Sequence, residues 1–188
     1  MAVDKDKLER AVELMLEGLG MDPERPGLQE TPRRVAEVYE EVLTGVDQDP
    51  ADVVKVLKGE KYDEIVLVRD IPFYSLCEHH LLPFHGKAHV AYIPQGNRIT
   101  GISKLGRVVE LFARRLQVQE RMTRQIADSL VGALSPKGVM VVVEAEHLCM
   151  TMRGVQKPGS ITTTSVVRGI FRENAATRSE AMALIEHG

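Results

Sequence analysis

The chain has 188 residues, of which 44% are hydrophobic and 27% charged, which is enough for one compact domain with a substantial core. Its formal net charge of −3 excludes an overall basic field for nucleic acid, so an anionic substrate requires a local group of lysines and arginines. The sequence contains no apolar run that could cross a bilayer and no apolar leader at its start, so we expect a cytoplasmic protein that binds neither nucleic acid nor membranes.

Residues 1–62 predict a helical region. Apolar residues recur at helical spacing in residues 5–17 and again after the Thr31-Pro32 pair. Thr31 is a good N-cap, and Pro32 suits the first turn of the helix that follows. The turn-rich stretch 21–31 separates the two periodic segments, so we expect an N-terminal helical hairpin.

The hydrophobic period changes after residue 63 and predicts an α+β domain over residues 63–188. Strands are predicted at 65–68, 87–93, 139–144 and 161–171, and helices at 104–116, 122–134 and 177–186. The order of two strands, two helices and two strands favours a four-stranded antiparallel sheet with helices on one face. Because such a sheet leaves unpaired edges, we also expect the chain to oligomerise through its sheet.

A metal site is the first chemical hypothesis. Cys77 and His80 stand three residues apart, which lets a tight turn direct both side chains at one ion, and Cys149 follows the third predicted strand. Two thiolates and one imidazole would hold zinc and leave a fourth position for water, as in catalytic zinc sites. The alternatives are a disulfide or two buried apolar thiols, and a reducing cytoplasm disfavours the disulfide.

Two further histidines adjoin these residues and are candidates for proton transfer near neutral pH. His147 precedes Cys149 by two residues, so on a strand both side chains would point to the same face. His79 adjoins His80 in a turn, where spacing does not define a direction, and it could instead orient a metal ligand.

A group of polar and basic residues begins the first long helix of the domain. Ser103, Lys104 and Arg107 follow Gly101, at a helix start where free backbone N–H groups bind anions. Cations oppose the helix dipole there, and a bound polyphosphate would remove that conflict. The alternative is a solvent-exposed helix start with two surface bases. Arg153, four residues after Cys149, is a further base that could face a phosphate.

Gln119 and Glu120 stand at the junction of the two long helices, in the segment 117–121. A carboxylate fixed there could accept two N–H bonds from a guanine edge. The alternative is an ordinary helix start with an acidic first turn, which needs no ligand.

Together these residues resemble the GTP cyclohydrolase I family. The resemblance is collinear from about residue 5 to residue 185 and is far more specific than any single motif. It rests on the segments 30–36, 77–80, 86–88, 90–94, 101–107, 117–121, 147–150 and 153–155.

The resemblance implies a zinc-dependent hydrolase that converts GTP and water to 7,8-dihydroneopterin triphosphate and formate. It implies one zinc ion per subunit, held by Cys77, His80 and Cys149, and proton transfer by His79 and His147. It also implies that guanine is held by Glu120 with Gln119, and the triphosphate by Ser103, Lys104, Arg107, Arg153 and Arg34.

The implied fold is the tunnelling fold, or T-fold, in which subunits join their sheets into a ring and two pentameric rings stack into a homodecamer. One departure from the family pattern is visible one helical turn after Arg34. That position is often basic in the family, but here it is Glu37, whose carboxylate would repel a triphosphate.

Two other functions remain open. A nicotinamide-dependent reductase of a deazapurine nitrile on the same fold would need a nucleophilic cysteine and no metal, so metal content distinguishes it. A zinc-stabilised ring that only binds purine nucleotides would need no proton donors, and the pair His79 and His147 argues against it.

Overall fold

The computed structural model describes residues 3–187 as a mixed α+β structure. Its helices are α1 (Lys5–Gly18), α2 (Thr31–Val42), α3 (Pro50–Val53), α4 (Ile102–Ala113), α5 (Gln119–Leu134), α6 (Leu148–Thr151), α7 (Ile170–Glu173) and α8 (Ala175–His187). Its strands are β1 (Leu57–Lys58), β2 (Val66–Cys77), β3 (Pro83–Ile93), β4 (Arg98–Ile99), β5 (Leu116–Gln117), β6 (Gly138–His147) and β7 (Ile161–Gly169). Within this part of the chain, no helix combines the length and the apolar character that a membrane span requires.

The main sheet has five strands in the order β5-β2-β3-β6-β7. Strands β2, β3, β6 and β7 are antiparallel neighbours, whereas β5 runs parallel to the end of β2. The expectation of four strands was therefore wrong by one short strand. Leu116 and Gln117 pair with Leu76 and Cys77, and two residues are too few to carry a period that sequence analysis could detect.

The edges of this sheet are only partly covered. Strand β5 pairs with two residues at one end of β2, and β7 has no strand partner on its outer side among residues 3–187. Unpaired edge groups of this kind favour pairing with another chain. Oligomerisation through the sheet stays a prediction.

Apolar cores lie on both faces of the sheet, because alternate residues of β3 and β6 point to opposite sides. Helices α4 and α5 cover one face, where Val90 and Leu105 are fully buried. On the other face Ala91 packs with Phe171 of α7 and Ala181 of α8. The expectation of helices on one face only was wrong, because helical periodicity reveals an apolar stripe without revealing which sheet face receives it.

Helix α2 begins one residue earlier than the sequence predicted. Its N-cap is Glu30, Thr31 is its first residue, and Pro32 stands in its first turn. No side chain caps this helix, so the hydroxyl of Thr31 does not accept the N-cap hydrogen bond that the sequence predicted.

The helices α1 and α2 lie against each other, and Lys5 donates from Nζ to Glu40 Oε2 at 3.0 Å. The chain beyond α2 is fixed to the end of α4. Gly45 donates its backbone N–H to the carbonyl of Arg114 at 2.9 Å, and Arg115 Nε donates to the carbonyl of Gly45 at 2.8 Å. These bonds attach the segment that follows α1 and α2 to the residues that precede β5, which pairs with the end of β2.

Candidate active site

A tight turn at one end of the sheet carries Cys77 and the two histidines that follow it. Strand β2 ends at Cys77, whose N–H donates to the carbonyl of Leu82 at 2.9 Å, and Leu81 donates back to the carbonyl of Cys77 at 2.8 Å. The predicted tight turn is therefore present. The side chain of Cys77 is buried, whereas His79 and His80 are exposed.

Glu78 fastens this turn to helix α5. Arg121 donates through Nη1 and Nη2 to the two carboxylate oxygens of Glu78 at 2.6 and 2.7 Å. These charge-assisted bonds hold the pKa of Glu78 below its usual range. Because Arg121 follows Glu120 on α5, the pair keeps the cysteine turn next to the start of that helix.

Cys149 reaches Cys77 from a short helix rather than from a strand. Strand β6 ends at His147 and α6 begins at Leu148, so the argument that strand alternation places His147 and Cys149 on one face was wrong. The two cysteines are free thiols that line the same cavity. Burial raises the pKa of the Cys149 thiol, and the neighbouring Cys77 raises it further.

The two histidines of the turn contact different groups. His79 Nδ1 lies 3.7 Å from the sulfur of Cys77, and His80 Nε2 lies 3.3 Å from Arg153 Nη1. Residues 3–187 contain no group of three or more His, Cys, Asp or Glu side chains placed to hold a metal ion. The two cysteines of the predicted ligand set therefore lie at one cavity, whereas the third predicted ligand, His80, lies beside Arg153. Two thiols and the imidazoles of the turn after Cys77 are the donor types that suit zinc.

The two cysteines open on a cavity of about 240 Å³. It is lined by Cys77, His79, Val118, Gln119, Glu120, His147, Cys149, Met150 and Thr162. The carboxylate of Glu120 is exposed there and forms no hydrogen bond with the described residues, so it is free to bind a ligand. Segments that lie far apart in sequence thus contribute predicted metal ligands, proton-transfer residues and guanine-binding residues to one cavity.

His147 is held on two sides of its ring. The ring stacks on buried Phe84 with centroids 4.6 Å apart and planes within 3°, and Nε2 lies 2.7 Å from Gln119 Oε1. Burial lowers the pKa of His147, and the nearby carboxylate of Glu120 opposes that shift. Burial therefore favours an uncharged imidazole that can accept a proton.

The predicted phosphate-binding helix start lies at the other end of the sheet. Helix α4 begins beside Tyr92, whose hydroxyl accepts from the N–H of Thr100 at 3.3 Å, whereas the cavity adjoins Phe84. At a rise of about 3.3 Å per residue, these two positions on β3 are about 26 Å apart. The chain therefore does not bring the following residues to its own cavity: Ser103, Lys104 and Arg107.

Arg34 and Glu37 lie on α2, outside the cavity. Arg34 is exposed, and its guanidinium forms no hydrogen bond with the described residues. Glu37 accepts from Arg33 Nη1 at 2.5 Å, and Arg33 also donates to Glu30, so one cation is shared between two carboxylates.

Comparisons with known proteins identify the family. The sequence profile of GTP cyclohydrolase I matches residues 8–186. The chain belongs to the GTP cyclohydrolase I family. GTP cyclohydrolase 1 of Carboxydothermus hydrogenoformans is 62% identical over 185 residues, which cover 98% of this chain and 96% of that protein. GTP cyclohydrolase 1 of Bacillus subtilis is 56% identical over 184 residues, which cover 98% and 97%.

A likeness to a solved structure is much weaker. The archaeosine synthase QueF-Like, in its apo form, has a TM-score of 0.46 at 18% sequence identity over 58% of this chain and 97% of that one. This similarity is too low to bear on the fold or the activity of this GTP cyclohydrolase I family member.

Residues without any local sequence signal hold the cavity of this GTP cyclohydrolase I family member in shape. Phe84 supports the ring of His147, and Thr164 Oγ1 accepts from Gln119 Nε2 at 3.1 Å. Thr162 also lines the cavity. No local pattern marks these residues, because each acts on a partner more than 40 positions away in the chain.

Proposed function

We propose that this member of the GTP cyclohydrolase I family converts GTP and water to 7,8-dihydroneopterin triphosphate and formate with one zinc ion per subunit. The main support for this proposal is that Cys77 and Cys149 line one cavity together with His147 and Glu120. Cys77, Cys149 and His80 would hold the metal. A bound zinc ion supplies the Lewis acidity that lowers the pKa of water toward neutrality.

The side chains around the cavity bind the base and move protons. Hydration of C8 of the purine needs a proton on N7, and we assign its delivery to His79 and His147, which line the cavity. Glu120 accepts the N–H groups of the guanine edge, which fixes the orientation of the base. After ring opening, C8 leaves as formate, the ribose rearranges and the freed amine closes the pteridine ring.

Most contacts to the triphosphate would come from other copies of the chain. Helix α4 begins about 26 Å along the sheet from the cavity of its own subunit, and Ser103, Lys104 and Arg107 do not line that cavity, so a neighbouring subunit would supply them. Arg153 lies at the cysteine turn of the same subunit, beside His80, and Arg34 would reach the site from an adjacent copy. We therefore propose that the site is complete only in the oligomer.

This arrangement fits the tunnelling fold proposed for residues 63–188, preceded by the helical region 1–62. The free edge of β7 and the weakly covered edge of β2 would pair between subunits and close the ring. Two stacked pentamers would give the homodecamer.

Glu120→Gln tests the binding of guanine. The amide keeps the shape of the side chain but presents one acceptor and one donor where two N–H groups must be accepted. We expect kcat/KM for GTP to fall about tenfold to a hundredfold, since charged hydrogen bonds contribute about 1.5–3 kcal/mol. Zinc content should be unchanged. Glu173→Gln, which removes an exposed carboxylate on α7 away from the cavity, is the matched control. If the two variants had the same kcat/KM, Glu120 would not be a ligand of guanine.

Incubation with GTP tests the function as a whole. The zinc-loaded protein should release formate and produce the absorbance of a dihydropteridine in equal amounts. Binding of GTP without formate would instead support a purine-binding ring. Nitrile reduction with a nicotinamide cofactor by metal-free protein would instead support the reductase.

A further inference from the structure

The side-chain amide of Gln119 is buried at the edge of the cavity with all its groups engaged. Its exposure is 1%, and Nε2 donates to the backbone carbonyls of Val143 and Thr162, each at 2.9 Å. Both partners are acceptors only. An amide turned the other way would place its oxygen against two carbonyl oxygens, so only one orientation satisfies this site.

The neighbouring threonines hold the same orientation. Thr123 donates its hydroxyl to the backbone carbonyl of Gln119 at 2.7 Å, which leaves its oxygen to accept from Thr164 at 2.7 Å. Thr164 Oγ1 lies 3.1 Å from Gln119 Nε2 as a third acceptor, so the two hydrogens of Nε2 are shared among Val143, Thr162 and Thr164. Each hydroxyl hydrogen in this network has one assignment, so the direction of every bond is defined.

This orientation determines which nitrogen of His147 carries a hydrogen. Gln119 Oε1 can only accept, and it lies 2.7 Å from His147 Nε2, so Nε2 is the donor. His147 Nδ1 forms no hydrogen bond with the described residues and is not among their buried unpartnered atoms, so it is accessible at the cavity. The stack on Phe84 fixes the plane of the ring.

We propose that Gln119 is a positioning residue that keeps hydrogen on Nε2 of His147 and leaves Nδ1 as the atom that accepts and returns the proton in catalysis. The assignment of a catalytic proton to Nδ1 rests on the proposed function, whereas the position of the hydrogen on Nε2 does not. Recognition of guanine by side chains then falls to Glu120, because the amide of Gln119 has no group left for a ligand.

The position of the hydrogen can be measured directly in the unsubstituted, zinc-loaded protein. In a long-range ¹H–¹⁵N spectrum with labelled histidine, Nε2 is recognised by its coupling to ring Hδ2, and His147→Asn identifies the pair of signals. At a pH at which the ring is neutral, we expect the protonated-nitrogen shift on Nε2 and the unprotonated shift on Nδ1. The reverse pattern would overturn the proposal, whether or not the protein turns over GTP.

Kinetics of Gln119→Met separate a positioning residue from a ligand of guanine. Methionine keeps the shape but loses every hydrogen bond, so we expect kcat to fall about tenfold to a hundredfold, as for other supporting partners of catalytic histidines. KM should change by less than about threefold, because binding of the base is not altered. A raised KM with unchanged kcat would make Gln119 a guanine ligand and overturn the proposal.

The chain offers a matched control two residues away. Gln117 is equally buried at 1% exposure, and its Nε2 donates to the carbonyl of Phe112 at 3.0 Å and to Gln125 Oε1 at 2.8 Å. Its Oε1 has no partner among the described residues, and its side chain forms no hydrogen bond with His147. Gln117→Met therefore also removes a buried side-chain amide. It should keep both the ¹⁵N pattern of His147 and most of kcat. Equal losses of kcat in both variants, with the His147 signals unchanged in each, would reduce Gln119 to a structural role.

Discussion

Cys149→Ser is expected to abolish formate release from GTP and to reduce bound zinc far below one ion per subunit. The hydroxyl of serine stays protonated near neutral pH and is a poorer ligand for zinc than a thiolate. Only Cys77 and a histidine of the turn would then remain as ligands. We expect kcat to fall about a hundredfold or more, and metal analysis and a formate assay on one sample measure both effects.

Met152→Leu is the matched control for this variant. Met152 follows the same short helix as Cys149, is 60% exposed and does not line the cavity. Its substitution should leave zinc content and rate unchanged. If Cys149→Ser kept full zinc and full rate, Cys149 would not be a metal ligand and the proposed mechanism would fail.

Two inactive variants are expected to restore activity to each other when their subunits mix. One carries Cys149→Ser, which disables the cavity, and the other carries Lys104→Ala with Arg107→Ala, which disables the start of α4. If the two parts of a site come from different chains, random mixing leaves about a quarter of the sites intact. If one chain supplied both parts, every site would be defective. Co-expression followed by a formate assay measures the recovery.

The control for this experiment is a mixture of Cys149→Ser with Cys77→Ala. Both substitutions disable the same cavity, so no site in the mixture has an intact one, and no recovery is expected. Native mass spectrometry shows whether mixed oligomers have formed. Mixed oligomers of Cys149→Ser with the Lys104 and Arg107 variant that stayed inactive would contradict a site shared between subunits.

The sequence predicted the long elements well because their apolar periods are local. The expected strand at 87–93 lies within β3, and the apolar spacing at 122–134 lies within α5. Short features carried no such signal, which is why β5 was taken as the end of a helix and α6 as the end of a strand. The face that α8 covers was also beyond prediction, since it depends on how the chain turns after β7.

The candidate site shows the same division between local chemistry and spatial arrangement. Residue types alone identified Cys77, Cys149 and His147, because thiols and imidazoles in clustered positions have few other uses. Spacing could not show that Gln119 binds His147, nor that Lys104 lies at the far end of the sheet.

The sequence by itself therefore determined the family, the long helices and strands, and the chemical groups available for catalysis, because these depend on residue identity and local period. The tertiary structure decided which groups meet, since the two cysteines approach each other only after β2 and β6 have paired with β3. It also decided the direction of the Gln119 amide, because the carbonyls of Val143 and Thr162 that orient it come from neighbouring strands that only folding brings together.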